Sequence, residues 1–223
     1  LLAQNLAESI ALTPEPAQVA SLLEQKTLSS TFMSVYFGDS QGGFTIRPDS
    51  KMPDGYDPRT RPWYKDALNS SASSLTKPYI DAATGQMVIT IGAPVKKAGQ
   101  TLGVVGADMT LQAITDSINA LNFNGMGYAF LIDADGEILV HPDKSLVTKN
   151  LRDIYPQDTP AITTAFSEIQ VNGKTRIVSF TPIKGLGSVN WHIGLSIDKE
   201  QAFAALSEFR TSAIIATIIA VVS

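Results

Sequence analysis

Residues 32–46 read FMSVYFGDSQGGFTI, and residues 128–140 read YAFLIDADGEILV. In each, an alternating apolar run meets a short turn of aspartate and glycine, and a second apolar run returns. Asp-Gly between apolar runs is a strong hairpin signal, because glycine supplies the positive φ of a tight turn without steric cost. Asp133-Ala134-Asp135-Gly136 meets that rule directly, and Asp39-Ser40-Gln41-Gly42-Gly43 carries the same chemistry. A hairpin that recurs in the second half of the chain predicts two modules in tandem.

Working outward, each hairpin is followed by further strands and flanked by helical spacing. After the first come three expected strands, Leu75–Ile80, Met87–Val95 and Thr101–Met109, with turns at Ala83-Thr84-Gly85 and Lys97-Ala98-Gly99-Gln100. Trp63–Asn69 and Leu111–Leu121 read as helices. After the second hairpin, a helix is expected at Pro160–Ile169, followed by strands Lys174–Pro182 and Trp191–Ile197. Upstream, Leu2, Leu6 and Ile10 recur at helical spacing. Thr13-Pro14-Glu15-Pro16 interrupts that pattern before it resumes over Ala17–Leu28. Asp198 reads as an N-cap for a helix from Lys199. The predicted class is α+β: a long N-terminal helix within a helical region (1–30), a first antiparallel-sheet module (31–121), a second (122–197), and a C-terminal helix (198–223).

With 44% hydrophobic and 17% charged residues in 223, the chain can bury a core and is not disordered. A net charge of −4 leaves no basic stripe for nucleic acid. There is no cysteine, so no disulfide, thiolate metal site or thiol nucleophile is expected. The two histidines, His141 and His192, are far apart and read as structural, and no metal or cofactor site is expected. Nucleophile elbow, P-loop, HExxH and dinucleotide fingerprints are missing, so no enzyme is expected. Asp133–Glu137 lacks the spacing of a calcium loop and reads as a turn. The apolar run AIIATIIAVV at 213–222 is shorter than the roughly 20 residues a span needs. It reads as the start of a transmembrane helix, with a buried C-terminal helix as the alternative. No signal peptide is legible before Leu1.

The densest candidate for binding is Tyr56-Asp57-Pro58-Arg59-Thr60-Arg61-Pro62-Trp63-Tyr64. Tryptophan, tyrosine and arginine offer broad contact area, cation–π faces and fork-shaped donors, and prolines stiffen the loop. The plainer reading is a turn whose Trp63 packs in the core while its arginines face solvent. Tyr79 and Asp81, two apart beside a strand, point to one face. Asp108 ends an apolar strand, where a carboxylate is costly unless it is paired. It reads either as the counter-ion of a ligand ammonium or as an N-cap for the next helix.

Four blocks then carry a resemblance: YDPRTRPWYKDA at 56–67, KPYIDAATGQMVIT at 77–90, GVVGADMT at 103–110 and GYAFLIDADGEILVHPD at 127–143. Together they resemble the double Cache (dCache) domain, the periplasmic sensor module common in bacterial methyl-accepting chemotaxis proteins. The resemblance covers nearly the whole chain. It implies two tandem PAS-like modules, membrane spans flanking the first and last helices, an inner-membrane receptor with this region in the periplasm, and a homodimer. Amino-acid receptors of that family carry a pocket pattern in the membrane-distal module, and the chain matches it at Tyr56, Arg61, Trp63, Tyr64, Tyr79, Asp81 and Asp108. The implied roles are a carboxylate held by Arg61 with the Trp63 indole, and an ammonium held by Asp108 with Asp81 and the tyrosine hydroxyls. The expected ligand is therefore a small L-amino acid. A polyamine or biogenic-amine sensor, which would not need Arg61, remains as an alternative. So does a pyruvate- or lactate-type sensor, which would not need Asp108. From another class, a secreted hydrolase would need a nucleophile–base pair that two isolated histidines do not supply.

Overall fold

Four-residue spacing folds Leu2–Leu12 into helix α1, which buries Ala3, Leu6, Ala7 and Ile10. The computed structural model describes residues 1–70, 72–119, 123–184 and 189–205. The expected apolar tail at 213–222 and the expected boundary at Leu121 lie outside the described residues. Helix α1 ends at Thr13, and α2 (Pro16–Leu23) starts afresh with proline in its first turn, where a missing N–H costs nothing. A short α3 (Lys26–Ser29) leads into the first sheet.

That sheet contains β1 (Ser34–Asp39) and β2 (Phe44–Arg47), then, beyond helix α4 (Pro62–Leu68), β3 (Ser74–Leu75), β4 (Tyr79–Ile80), β5 (Met87–Lys97) and β6 (Gln100–Thr110). Its order is β2-β1-β6-β5-β3, with β4 also on β5, and every pairing is antiparallel. The single strand expected over Leu75–Ile80 is two short ones. Pro78, which has no N–H to give a ladder, lies between them. The two faces are sorted by the period of two. Val35 and Phe37 pack with α1 and α2, whereas Tyr36 packs on Trp63, Tyr64 and Ala67 of α4.

Helix α5 (Leu111–Asn119) follows β6, and Thr110 caps it by accepting from the N–H of Ala113 at 3.1 Å. The capping role considered for Asp108 thus falls to Thr110. The described residues divide into two compact units, one built up to Ile114 and the other chiefly from Thr115 on.

The second unit holds β7 (Gly127–Ile132), β8 (Ile138–Val140), a short α6 (Leu151–Ile154), β9 (Ser167–Val171), β10 (Lys174–Pro182) and β11 (His192–Asp198). The sheet order is β8-β7-β11-β10-β9, again antiparallel throughout. The helix expected at Pro160–Ile169 is not there. Residues 167–171 form an edge strand that pairs with β10 through Asn172-Gly173, both at positive φ (50° and 76°). Asn-Gly between apolar runs is a hairpin signal in its own right. Asp198 accepts from the N–H of Gln201 at 3.1 Å and caps the helix at 199–205, as expected.

The two expected hairpins are present with the same turn. Asp39 Oδ1 accepts from the N–H groups of Gln41 (2.7 Å) and Gly43 (2.8 Å). Asp133 Oδ1 accepts likewise from Asp135 and Glu137, both at 2.9 Å.

Candidate ligand-binding site

The loop before α4 sorts its two arginines. Asp57 accepts from the N–H of Arg59 and from its guanidinium, in an ion pair of 2.8 Å, so Arg59 closes its own turn. Arg61 makes no ion pair among the described residues. Its Nη2 donates to the carbonyl of Ile80 at 2.8 Å, and its guanidinium lies 5.5 Å from the centroid of the Tyr79 ring. One edge of the fork is thereby fixed, while Nε and Nη1 make no hydrogen bond among the described residues.

Pro62 starts α4, and the next residue, Trp63, is buried. The indole meets Tyr36 edge-on at 4.8 Å, with Tyr64 at 5.4 Å and Phe44 at 6.4 Å. The Tyr56 ring lies 4.9 Å from Phe44. Burial pushes the Tyr56 hydroxyl up to about 12, against the neighbouring Trp63 and the Arg61 charge, with Asp108 and Asp81 raising it further. Tyr56 thus lies within electrostatic reach of Arg61, Asp81 and Asp108 together. The core packing of Trp63 in the plainer reading is present.

At the other end Asp108 is fully buried on β6. Oδ1 accepts from the Tyr36 hydroxyl at 2.6 Å and the Thr90 hydroxyl at 2.5 Å, and Oδ2 accepts from Ser34 at 2.9 Å. Among the described residues no cation pairs with it. Burial raises its pKa to about 6, while the hydrogen bonds of Thr90, Tyr36 and Ser34 pull down and the charge of Asp81 pushes up. Tyr79 joins this group with its hydroxyl 2.7 Å from that of Thr90. Burial first, then the charge of Asp108, raises its pKa, and Arg61 opposes. Tyr79, like Tyr56, therefore feels both ends. Asp81 spends Oδ2 on the N–H (2.8 Å) and hydroxyl (2.6 Å) of Thr84. Its Oδ1 accepts no hydrogen bond among the described residues.

Six of the seven residues expected from sequence, Tyr56, Arg61, Trp63, Tyr79, Asp81 and Asp108, thus gather in one electrostatic neighbourhood. Tyr64 stands apart at its polar end. Its hydroxyl donates to the carbonyl of Asp39 at 3.3 Å, and the charges it feels are Asp39, Arg59 and Asp57. Sequence reading missed Ser34, Tyr36 and Thr90. Gly106 makes room for the Tyr36 ring, since a Cβ there would overlap it. The available signal was a polar atom at each inward strand position, which acquires meaning only once the strands are paired.

The group thus joins a buried carboxylate ringed by hydroxyls to a guanidinium lying over a tyrosine. The chain matches the Cache domain family dCache_1 over residues 2–206 and belongs to it. It is 55% identical over 216 residues to the methyl-accepting chemotaxis protein McpG of Pseudomonas putida, covering 97% of this chain and 34% of that protein. It is 50% identical to PctB of Pseudomonas aeruginosa over 223 residues, covering 100% of this chain and 36% of PctB. The chain thus spans about a third of the length of these relatives. Among solved structures it resembles the ligand-binding domain of the Pseudomonas fluorescens chemoreceptor CtaA in complex with L-leucine. That match has a TM-score of 0.86 and 65% identity over 91% of this chain and 86% of the other. The ligand-binding domain of PctB with L-Arg matches at a TM-score of 0.87 and 49% identity, over 91% and 87%. No helix among the described residues is long and apolar enough to cross a membrane.

Proposed function

We propose that this chain is the periplasmic ligand-binding region of an inner-membrane chemoreceptor, a sensor and not an enzyme, and that it recognises small L-amino acids. The observation that carries the ligand class is the hydrogen-bonding capacity left over in the site. Arg61 has Nε and Nη1 to give, Asp81 has Oδ1 to receive with, and Asp108 has used three of a carboxylate's roughly four acceptor positions. A fork-shaped donor matches a carboxylate, and two acidic groups match an ammonium. A zwitterion satisfies both. Either half alone strands a partly desolvated charge.

The comparisons support the same class. CtaA domains are solved with L-leucine, L-isoleucine, L-alanine, L-serine and L-valine, and PctB with L-Arg and L-Gln. PctC was solved with GABA, which also joins an amine to an acid. In the whole receptor the region would sit between two membrane spans as a homodimer. Binding can shift its signalling equilibrium only by the ligand's differential affinity for the two states. The test is a thermal-shift screen of the twenty amino acids, simple amines and small organic acids. One or more small L-amino acids should raise Tm, while amines and acids should not. A response confined to amines or to acids would replace the reading.

A further inference from the structure

The Asp108 carboxylate has no cation beside it among the described residues, so its charge rests on three hydroxyls. Thr90 is the best placed of them. It is fully buried on β5, opposite Asp108 in the sheet register. Its backbone is fixed on both sides: its N–H donates to the Thr76 hydroxyl at 2.9 Å, and its carbonyl accepts from the N–H of Thr76 at 3.0 Å. A hydroxyl has one proton to give. Since Thr90 gives its proton to a carboxylate oxygen at 2.5 Å, the 2.7 Å contact with Tyr79 runs from the tyrosine hydroxyl to Thr90 Oγ1. Tyr79, Thr90 and Asp108 therefore form a donor chain with one direction, and its outer member lies beside Arg61.

We propose that Thr90, supported by Tyr36 and Ser34, is a positioning residue of the binding site: it keeps Asp108 ionised and aimed, so that the carboxylate can hold an ammonium at neutral pH. The inference rests on the amino-acid reading above. The groups that face Asp108 are Ser34 and Tyr36 from β1, Thr90 from β5 and Tyr79 from β4. The charge of Asp81 and the hydroxyl of Tyr56 lie further out, and Arg61 acts on Tyr79. The hydroxyls of Thr90, Tyr36 and Ser34 favour the ionised form, whereas burial and Asp81 oppose it. Removing one donor leaves the carboxylate to take up a proton at higher pH, and a neutral carboxyl cannot pair with an ammonium. It also leaves the Tyr79 hydroxyl without its acceptor.

The test uses Thr90→Val, which keeps the shape and removes the hydroxyl, and Thr90→Ser, which restores it. Calorimetric titrations with L-alanine run from pH 5 to pH 8.5. In the native protein, affinity should be flat above about pH 7 and fall below about pH 6, where Asp108 takes its proton. In Thr90→Val the fall should begin about one unit higher, so that relative to the native protein binding is weakened about twofold at pH 7 and about fivefold at pH 6, and recovers towards pH 8.5. Thr90→Ser should return the native profile. A Thr90→Val profile matching the native one, or a loss that is equal at every pH, would overturn the proposal. The carboxyl carbon resonance of Asp108 in the free protein, assigned against Asp108→Asn, gives a readout independent of ligand. Its midpoint should rise in Thr90→Val and return in Thr90→Ser. An unchanged midpoint overturns the role of Thr90, whereas failure of native protein to bind L-alanine counts against the ligand reading alone.

Discussion

The two sheets share a frame and differ in what that frame holds. Each hairpin turns on an aspartate that accepts two backbone N–H groups, Asp39 in one and Asp133 in the other. Each has an aromatic ring lying over a glycine of the neighbouring strand, Tyr36 over Gly106 and Phe130 over Gly194, where a Cβ would overlap the ring. Residues at matching register then diverge. Ser34 faces Asp108, which faces Thr90; Tyr128 faces Ser196, which faces Val178. The carboxylate has become a hydroxyl, and the three hydroxyl donors around it have become Tyr128, Phe130 and Val178. The charge is reversed as well. Arg176 donates to Ser196 Oγ (3.0 Å) and its carbonyl (2.8 Å) and lies over the Tyr128 ring, while Tyr155 donates to the same Ser196 Oγ at 3.2 Å. Phe130, Tyr155, Val178 and Phe180 complete a filled apolar interior. One frame can therefore hold either a polar group with acceptor capacity to spare or a closed core, and a few inward positions decide which.

Substitutions at these positions can break the comparison. The largest expected effects are on binding. Arg61→Ala and Asp108→Ala should each weaken L-alanine by about thirtyfold to several thousandfold, about 2–5 kcal/mol, as removal of one partner from a buried charge pair does. Near-native affinity by calorimetry in either variant would remove that residue from the site.

Next comes a stability effect whose sign is distinctive. In the folded chain Asp108 takes its proton at about 6, above the ordinary 3.8. Between those values the folded state binds more protons than the unfolded one, so this group's contribution to stability falls as pH rises. Asp108→Asn removes that penalty. Its stability relative to native should grow between pH 4 and pH 7 by about 2 kcal/mol, most of the free-energy equivalent of that displacement. Urea unfolding at several pH values measures it, and a pH-independent difference would mean that the carboxylate is not held as described.

The smallest effect is expected in the second unit. Ser196→Ala loses the acceptor used by Arg176 and Tyr155, which should cost about 1–3 kcal/mol of stability and leave amino-acid affinity unchanged. A drop in affinity in a stably folded Ser196→Ala would join the second unit to the site and end the contrast.

Local chemistry made much of this legible in sequence. Asp-Gly turns, the prolines that end α1 and the Asp198 cap are signals within a few residues of one another and match the structure, whereas the stretch expected over Ala17–Leu28 is two helices, α2 and α3. The edge strand at 167–171 overlaps the stretch expected as a helix, Pro160–Ile169, and the local signal that decides it is Asn172-Gly173. Within the site, the named arginine, tryptophan, tyrosines and aspartates were found by residue type and by resemblance. Residue type did not separate Tyr64, whose ring joins the core while its hydroxyl turns to the Asp39 carbonyl. The cage of Asp108 was invisible for a different reason. Thr90 is 18 residues away in the chain, Tyr36 is 72 and Ser34 is 74, and only sheet register brings them together.

A site that reads both ends of a zwitterion should separate three ligands offered to one preparation. Calorimetric titration at pH 7.5 with L-alanine, ethylamine and propionate compares the amino acid with each of its halves. L-Alanine should bind more than about a hundredfold more tightly than either half, about 3 kcal/mol, because each half leaves one charge of the site unpaired. Ethylamine or propionate binding as well as L-alanine would contradict the account: the first would remove Arg61 as a ligand contact, and the second would remove Asp108.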